Sequence, residues 1–321
     1  SWVDSAGRTW TGMLYLPTHH APGRRYPLVI QTHGHAGEGQ FSLYGPAIKR
    51  LGPGVSVFAA QPLANRGILV VQLQDRTDDE AFGTVAEPAM YMDGYDSLVA
   101  HLDRKGLIDK TRVGIVGFSR TGWHVEYALT HSETPFAAAI VSDNLDAGYF
   151  QAAVTGWAQS FNALSGGAPF GAGLKSWLEH APPFSAERIA TPLRMQVESA
   201  GLMGALQEWE LFSRLRALGK PVELAFVPDL EGATHGLQNP RQLLASQQAA
   251  VDWFDFWLND REDPDAAKQS QYVRWRRLRE QRDAQIGKPR PPLLEWSSRP
   301  RTVIETPAAE NDRTRLQDAD S

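Results

Sequence analysis

Ser119 stands at the apex of Gly117-Phe118-Ser119-Arg120-Thr121-Gly122, directly after the apolar run Val113-Gly114-Ile115-Val116. A serine on a strained strand-to-helix turn has its hydroxyl pushed clear of the sheet, and the backbone N–H of the next residue, here Arg120, faces the same space. This pairing supplies a nucleophile and an oxyanion donor, the two parts that acyl transfer needs first. The usual spelling of such an elbow is G-x-S-x-G. Thr121 occupies the place of the second glycine, and Gly122 offers a small residue one position later.

A serine nucleophile needs a general base within hydrogen-bond reach. Among the nine histidines, His235 is singled out by position: it follows the run Val222 to Val227 and the loop Pro228 to Thr234, and Gly236 comes next. His19, His20, His101, His124, His131 and His180 lie in turn, loop or helical settings that give them ordinary structural roles. His33-Gly34-His35 opens a loop with Gly37 and Gly39 after the run Leu28 to Thr32, so a backbone N–H or the His33 side chain is placed to give a second oxyanion donor. No carboxylate cluster accompanies His33 and His35 beyond Glu38, so neither a metal nor a cofactor is expected.

The acid that orients the histidine is expected after the run Leu193 to Val197, where Glu198, Glu208 and Glu210 are the candidates. On a helix from Leu206 to Leu218, Glu208 shares a stripe with Leu211, Phe212 and Leu215, whereas Glu210 shares one with Ser213, Arg214 and Ala217. Glu208 therefore points inward and Glu210 outward, and a carboxylate on an apolar face calls for a partner such as an imidazolium. Glu198, at the end of the run, stays open as the alternative. Asp143 and Asn144 end the run Ala137 to Val141 and should look into the same pocket, as substrate contacts or as a helix N-cap. Asp75 and Arg76, after Ile68 to Leu73, divide in the same way.

These groups need a scaffold, and the chain provides one. The β-branched runs just named alternate with helical patterns at Tyr91 to Arg104, Gly122 to Thr130, Leu206 to Leu218 and Gln242 to Leu258, which predicts a mostly parallel twisted sheet with helices on both faces. Trp10 to Leu16 reads as an antiparallel edge strand, and Gly148 to Pro183 as an irregular insertion above the sheet. With 321 residues, 42% of them hydrophobic, and ten Trp, a sizeable core is available. Net charge is −5 and basic runs with interleaved aromatics are missing from residues 1–260, so nucleic acid is not an expected partner. The lack of cysteine excludes disulfides and a cysteine nucleophile, and no apolar run approaches the roughly 20 residues of a membrane span. The chain begins with Ser1 rather than Met, as a fragment or processed product would. Residues 1–262 read as the catalytic domain and 263–321 as a charged extension, disordered over 311–321, whose amphipathic piece Tyr272 to Arg279 is expected to be a solvated or docking element.

Several segments resemble prolyl oligopeptidase-family serine peptidases: Gly7-Arg8-Thr9-Trp10-Thr11-Gly12-Met13-Leu14-Tyr15-Leu16-Pro17, Tyr26-Pro27-Leu28-Val29-Ile30 before His33-Gly34, Ile108-Asp109-Lys110-Thr111-Arg112-Val113-Gly114-Ile115, Thr191-Pro192-Leu193, and Leu218-Gly219-Lys220-Pro221-Val222-Glu223-Leu224 before His235-Gly236. The resemblance covers roughly residues 1–260 and implies the α/β-hydrolase fold, with Ser, acid and His in that order. The family's usual acid is an Asp in D-x-x-V-P-x-x-Q, yet with its Gln on Gln207 the Asp position holds Ala200. Gly117-Phe118-Ser119-Arg120-Thr121, Asp146-Ala147-Gly148-Tyr149, Glu208-Trp209-Glu210 and Trp253-Phe254-Asp255-Phe256-Trp257 look instead like the lasso peptide isopeptidases, a branch in which the triad acid is a glutamate.

That resemblance implies a bacterial serine hydrolase, cytoplasmic or periplasmic, with Ser119, Glu208 and His235 as its triad. It would open the isopeptide bond between a lasso peptide's N-terminal amine and an Asp or Glu side chain. It also implies a β-propeller, before residue 1 or on another chain, with Tyr272 to Leu278 packing near the junction. A general esterase or exopeptidase on the same fold, and a non-catalytic binding module, are the alternatives.

Overall fold

The computed structural model describes residues 1–32, 57–77, 79–156 and 158–293. Its strands are β1 (Trp2–Val3), β2 (Thr9–Trp10), β3 (Gly12–Tyr15), β4 (Tyr26–Gln31), β5 (Leu69–Leu73), β6 (Ile108–Phe118), β7 (Phe136–Ser142), β8 (Leu193–Val197) and β9 (Val222–Phe226). The helices are α1 (Ala60–Asn65), α2 (Glu87–Arg104), α3 (Arg120–His131), α4 (Tyr149–Thr155), α5 (Ala158–Leu164), α6 (Leu174–His180), α7 (Gly201–Gln207), α8 (Trp209–Ala217), α9 (Pro240–Asn259) and α10 (Gln269–Asp283).

Among the described residues β3 to β9 form one seven-stranded sheet in the order β3-β5-β4-β6-β7-β8-β9. Only β3 runs antiparallel, against β5, and the remaining pairs are parallel. Parallel strands with helices on both faces must be apolar on both faces, and β4, β5 and β8 are buried at every position. Successive side chains alternate between two cores. Leu28, Ile30, Ile115 and Val141 face α2, α3 and α8, while Val29, Val70, Val116 and Ile140 face α1, α9 and α10.

The stretch expected to be irregular holds α4, α5 and α6. Phe161, Leu164 and Trp177 from it cluster with Trp123 near the start of α3, above the carboxyl end of the sheet. The single helix expected over Leu206 to Leu218 is broken at Glu208, which ends α7 and precedes α8. The helix expected to be a solvated or docking element, α10, sinks Tyr272 and Trp275 beside Trp253, Phe256 and Trp257. At about 2 kcal/mol for each large side chain buried, this packing makes α10 part of the core. Carbonyls at the end of α3 are met by guanidinium groups: Arg188 Nε donates to Thr130 O at 2.6 Å, and Arg290 donates to Ser132 O at 2.6 Å and Leu129 O at 3.0 Å. No described helix is long and apolar enough to cross a membrane.

Candidate active site

The elbow lies where β6 meets α3. Ser119 adopts φ 54°, ψ −129°, a left-handed conformation that side chains avoid unless the surroundings impose it. The surroundings here are specific. Ser119 N–H donates to Ser142 O at 3.0 Å, and Ser119 O accepts from Gly122 N at 3.0 Å and Leu145 N at 3.2 Å. The Thr121 hydroxyl donates to Phe118 O at 2.9 Å and accepts from Phe118 N at 3.1 Å, so the residue that departs from the usual spelling ties the turn together. The glycine requirement falls on Gly122, where a Cβ would stand 2.1 Å from Cβ of Asn144. The helix carrying the nucleophile and the 143–144 turn can approach so closely only because that atom is missing.

His235, in the loop after β9, reaches Ser119. Its Nε2 lies 2.9 Å from Ser119 Oγ and its Nδ1 2.6 Å from Asp143 Oδ2, with the imidazole stacked 4.7 Å from the Phe118 ring. A carboxylate at Nδ1 sets the tautomer: Nδ1 carries the proton and Nε2 is left to accept from the serine. Asp143 has φ 45° and its carboxylate is buried, yet it accepts from Glu198 N at 3.1 Å, Ser199 N at 2.8 Å and the Ser199 hydroxyl besides the histidine. Burial pushes the Asp143 carboxyl up, and the donors from His235 and Ser199 outweigh it and hold it below the ordinary range. The hydrogen bond to Asp143 raises His235 against the opposing effect of burial.

The expected acid, Glu208, is elsewhere. It is fully buried, as its inward stripe predicted, but its Oε1 accepts the Asn144 backbone N–H at 2.8 Å and so lies behind the turn that carries Asp143. Burial, with Asp143, Asp146 and Glu198 nearby, raises the Glu208 carboxyl far above the usual range. Glu198 accepts from the Ser142 hydroxyl at 2.6 Å and Gln196 Nε2 at 2.8 Å, and Glu210, expected to point outward, is buried between Phe150 N and Arg214. The expectation of Asp143 as a substrate contact or N-cap is corrected in the same way, since its carboxylate is spent on His235 and Ser199. Ser199 itself had no signal beyond following a strand.

Arg120 follows Ser119 as expected, and its backbone N–H opens α3. The partner of its side chain, Glu87, was not foreseen, because nothing near Glu87 in sequence marks it. The expected second donor, His33-Gly34, lies outside the described residues. Among the described residues no group of three or more His, Asp or Glu side chains is arranged to hold a metal ion.

A buried carboxylate, an imidazole and a serine hydroxyl in hydrogen-bonded series at the carboxyl end of a parallel sheet can activate an oxygen nucleophile. The chain as a whole is similar to known peptidases. It is 27% identical, with a TM-score of 0.68, to an AtxE2 isopeptidase variant solved with Astexin3-dC4 bound, over 87% of this chain and 42% of that one. An acylaminoacyl peptidase from Pyrococcus horikoshii, 18% identical over 81% of this chain, gives a TM-score of 0.59 and shares the fold. The fold is that of the α/β-hydrolases. In sequence this hydrolase fold is 30% identical over 287 residues, 83% of its length, to lasso peptide isopeptidase AtxE2 of Asticcacaulis excentricus, of which it is a homologue. It is 29% identical over 150 residues to human dipeptidyl peptidase 8. The chain spans 38% of the curated isopeptidase and 16% of the dipeptidyl peptidase. No family model matches it.

Proposed function

We propose that this chain carries the catalytic centre of a serine hydrolase that opens the isopeptide bond of a lasso peptide. The observation that carries the hydrolase reading is the Ser119–His235–Asp143 series, and similarity to AtxE2 supports the substrate class. His235 Nε2 takes the proton from Ser119 Oγ as that oxygen attacks the isopeptide carbonyl carbon. Arg120 N–H donates to the oxyanion, and Asp143 holds the imidazolium in place. The proton passes from His235 to the departing amine, which leaves an acyl ester on Ser119. Water then attacks that ester with His235 as base, freeing the carboxyl group and the serine. Asp143, rather than Glu208, is the acid in this scheme. The resemblance also supports a β-propeller partner, attached outside the given sequence or on another chain.

Mass spectrometry of a threaded lasso peptide after incubation tests the proposal. A gain of one water at the ring, lost in Ser119→Ala, is the expected result. An unchanged peptide together with rapid cleavage of dipeptide anilides would make the enzyme an exopeptidase, and turnover retained in Ser119→Ala would remove the serine mechanism.

A further inference from the structure

Arg120 is fixed by more than its place in the helix. Its Nε donates to Glu87 Oε1 at 2.6 Å and its Nη2 to Glu87 Oε2, a two-pronged pairing that fits guanidinium to carboxylate in one orientation. Glu87 lies at the start of α2 with no exposed surface. Its remaining acceptor capacity is used as well: Gly83 N donates to Oε2 at 2.6 Å, and His124 Nε2 lies 2.8 Å from Oε1. His124 stands one helical turn beyond Arg120 on the same face of α3 and stacks 4.0 Å from the Tyr91 ring. The Phe82 ring lies 4.4 Å from the Arg120 guanidinium carbon. Burial alone would raise Glu87, but the hydrogen bonds and charges of Arg120 and His124 bring it to about 2, so it is ionised at every working pH. Burial lowers His124 against the opposing hydrogen bond and charge of Glu87.

The residue so clamped is the one whose backbone N–H faces the oxyanion, and displacement of such a donor by about 1 Å is enough to cost roughly a hundredfold in rate. We propose that Glu87 is a positioning residue for the oxyanion turn, acting through the Arg120 fork and the His124 imidazole to hold the start of α3 against α2. The proposal rests on the serine hydrolase reading. Glu87 touches no reacting atom, so its effect must pass through Arg120.

Glu87→Ala, Arg120→Ala and the double variant test this on a p-nitrophenyl ester, with active sites counted by fluorophosphonate labelling of Ser119. The expected kcat per labelled site falls about tenfold to a hundredfold in each single variant, with KM within about threefold. The double variant should be no slower than the worse single, because both substitutions remove one device. Arg120→Lys keeps the charge without the fork and should fall with Arg120→Ala. A kcat at the unsubstituted level in Glu87→Ala, or a double variant that loses the product of the two effects, overturns the proposal. If Glu87→Ala does not fold, the two Arg120 variants decide, and normal kcat in both overturns it. Absence of labelling in the unsubstituted protein would instead overturn the hydrolase reading, and this proposal with it.

Discussion

Glu87 and Glu208 are both fully buried beside the catalytic turn, one on the α2 side of α3 and one on the α7–α8 side, and they end in opposite states. Glu87 collects a guanidinium, an imidazole and a backbone N–H, and stays ionised. Glu208 receives one backbone N–H, its Oε2 has no partner, and its neighbours include the carboxyls of Asp143 and Asp146. Glu126 and Asp146 share that second setting and are raised too, by burial first and by nearby acids after it. Burial is common to both sides, so it is the supply of donors that decides which carboxyl keeps its charge. Asp143 lies against the under-supplied side but collects its own donors from Ser199, Glu198 N–H and His235, which is why it can act as the anion.

Removing that anion should separate the two settings most sharply. Asp143→Asn is expected to lower kcat by about a thousandfold to ten-thousandfold, since the imidazole loses both its tautomer and its counter-charge. The acidic limb of its residual kcat/KM profile should move to lower pH, because the hydrogen bond that His235 donates to Asp143 is the main cause raising His235. A limb that stays in place would mean another acid holds the histidine. Next in size, Gly122→Ala forces a Cβ into Asn144 and should cost about 3 kcal/mol in denaturant titrations; a loss under about 1 kcal/mol would show that the two turns are not locked together. Asp146→Asn probes the charge-poor side. Folded Asp146 is raised from 3.8 to about 8, so the unfolded chain binds fewer protons in that window and stability falls as pH rises through it. The variant should show a flatter dependence of Tm between those pH values than the unsubstituted protein, and parallel curves would place a charged Asp146 in the native state. The smallest effect is expected for Glu208→Gln, which keeps the carbonyl acceptor for Asn144 N–H: kcat within about tenfold. A loss as large as that of Asp143→Asn would return the acid to Glu208.

Ser119 and His235 were legible because their signals are local, an apolar strand followed by a small-residue turn and a strand followed by a His-Gly loop. The sheet, its edge strand and the long helices α2, α3 and α9 were legible for the same reason. The carboxylate partner of His235 was not, because it depends on a positive φ at Asp143 and on donors at residues 198–199 from a different part of the chain. Periodicity found that Glu208 is buried and could not find its partner. It failed at Glu210, where α4 and Arg214 arrive from elsewhere in the chain to cover the carboxylate. In α10 the spacing Tyr272, Trp275, Leu278 did mark an inward stripe, but the surrounding arginines hid it in the average composition.

That stripe sets the limits of any shortened version of this protein. Trp275 Nε1 donates to Glu223 Oε2 at 3.0 Å and Arg279 lies 3.9 Å from the Phe256 ring, so α10 both covers the indole-rich face of α9 and reaches edge strand β9. A version ended at residue 262 would carry bare tryptophans next to an unguarded strand, the combination from which chains stick to one another. Colloidal behaviour, a property remote from the catalytic turn, therefore depends on a helix whose composition looks made for water.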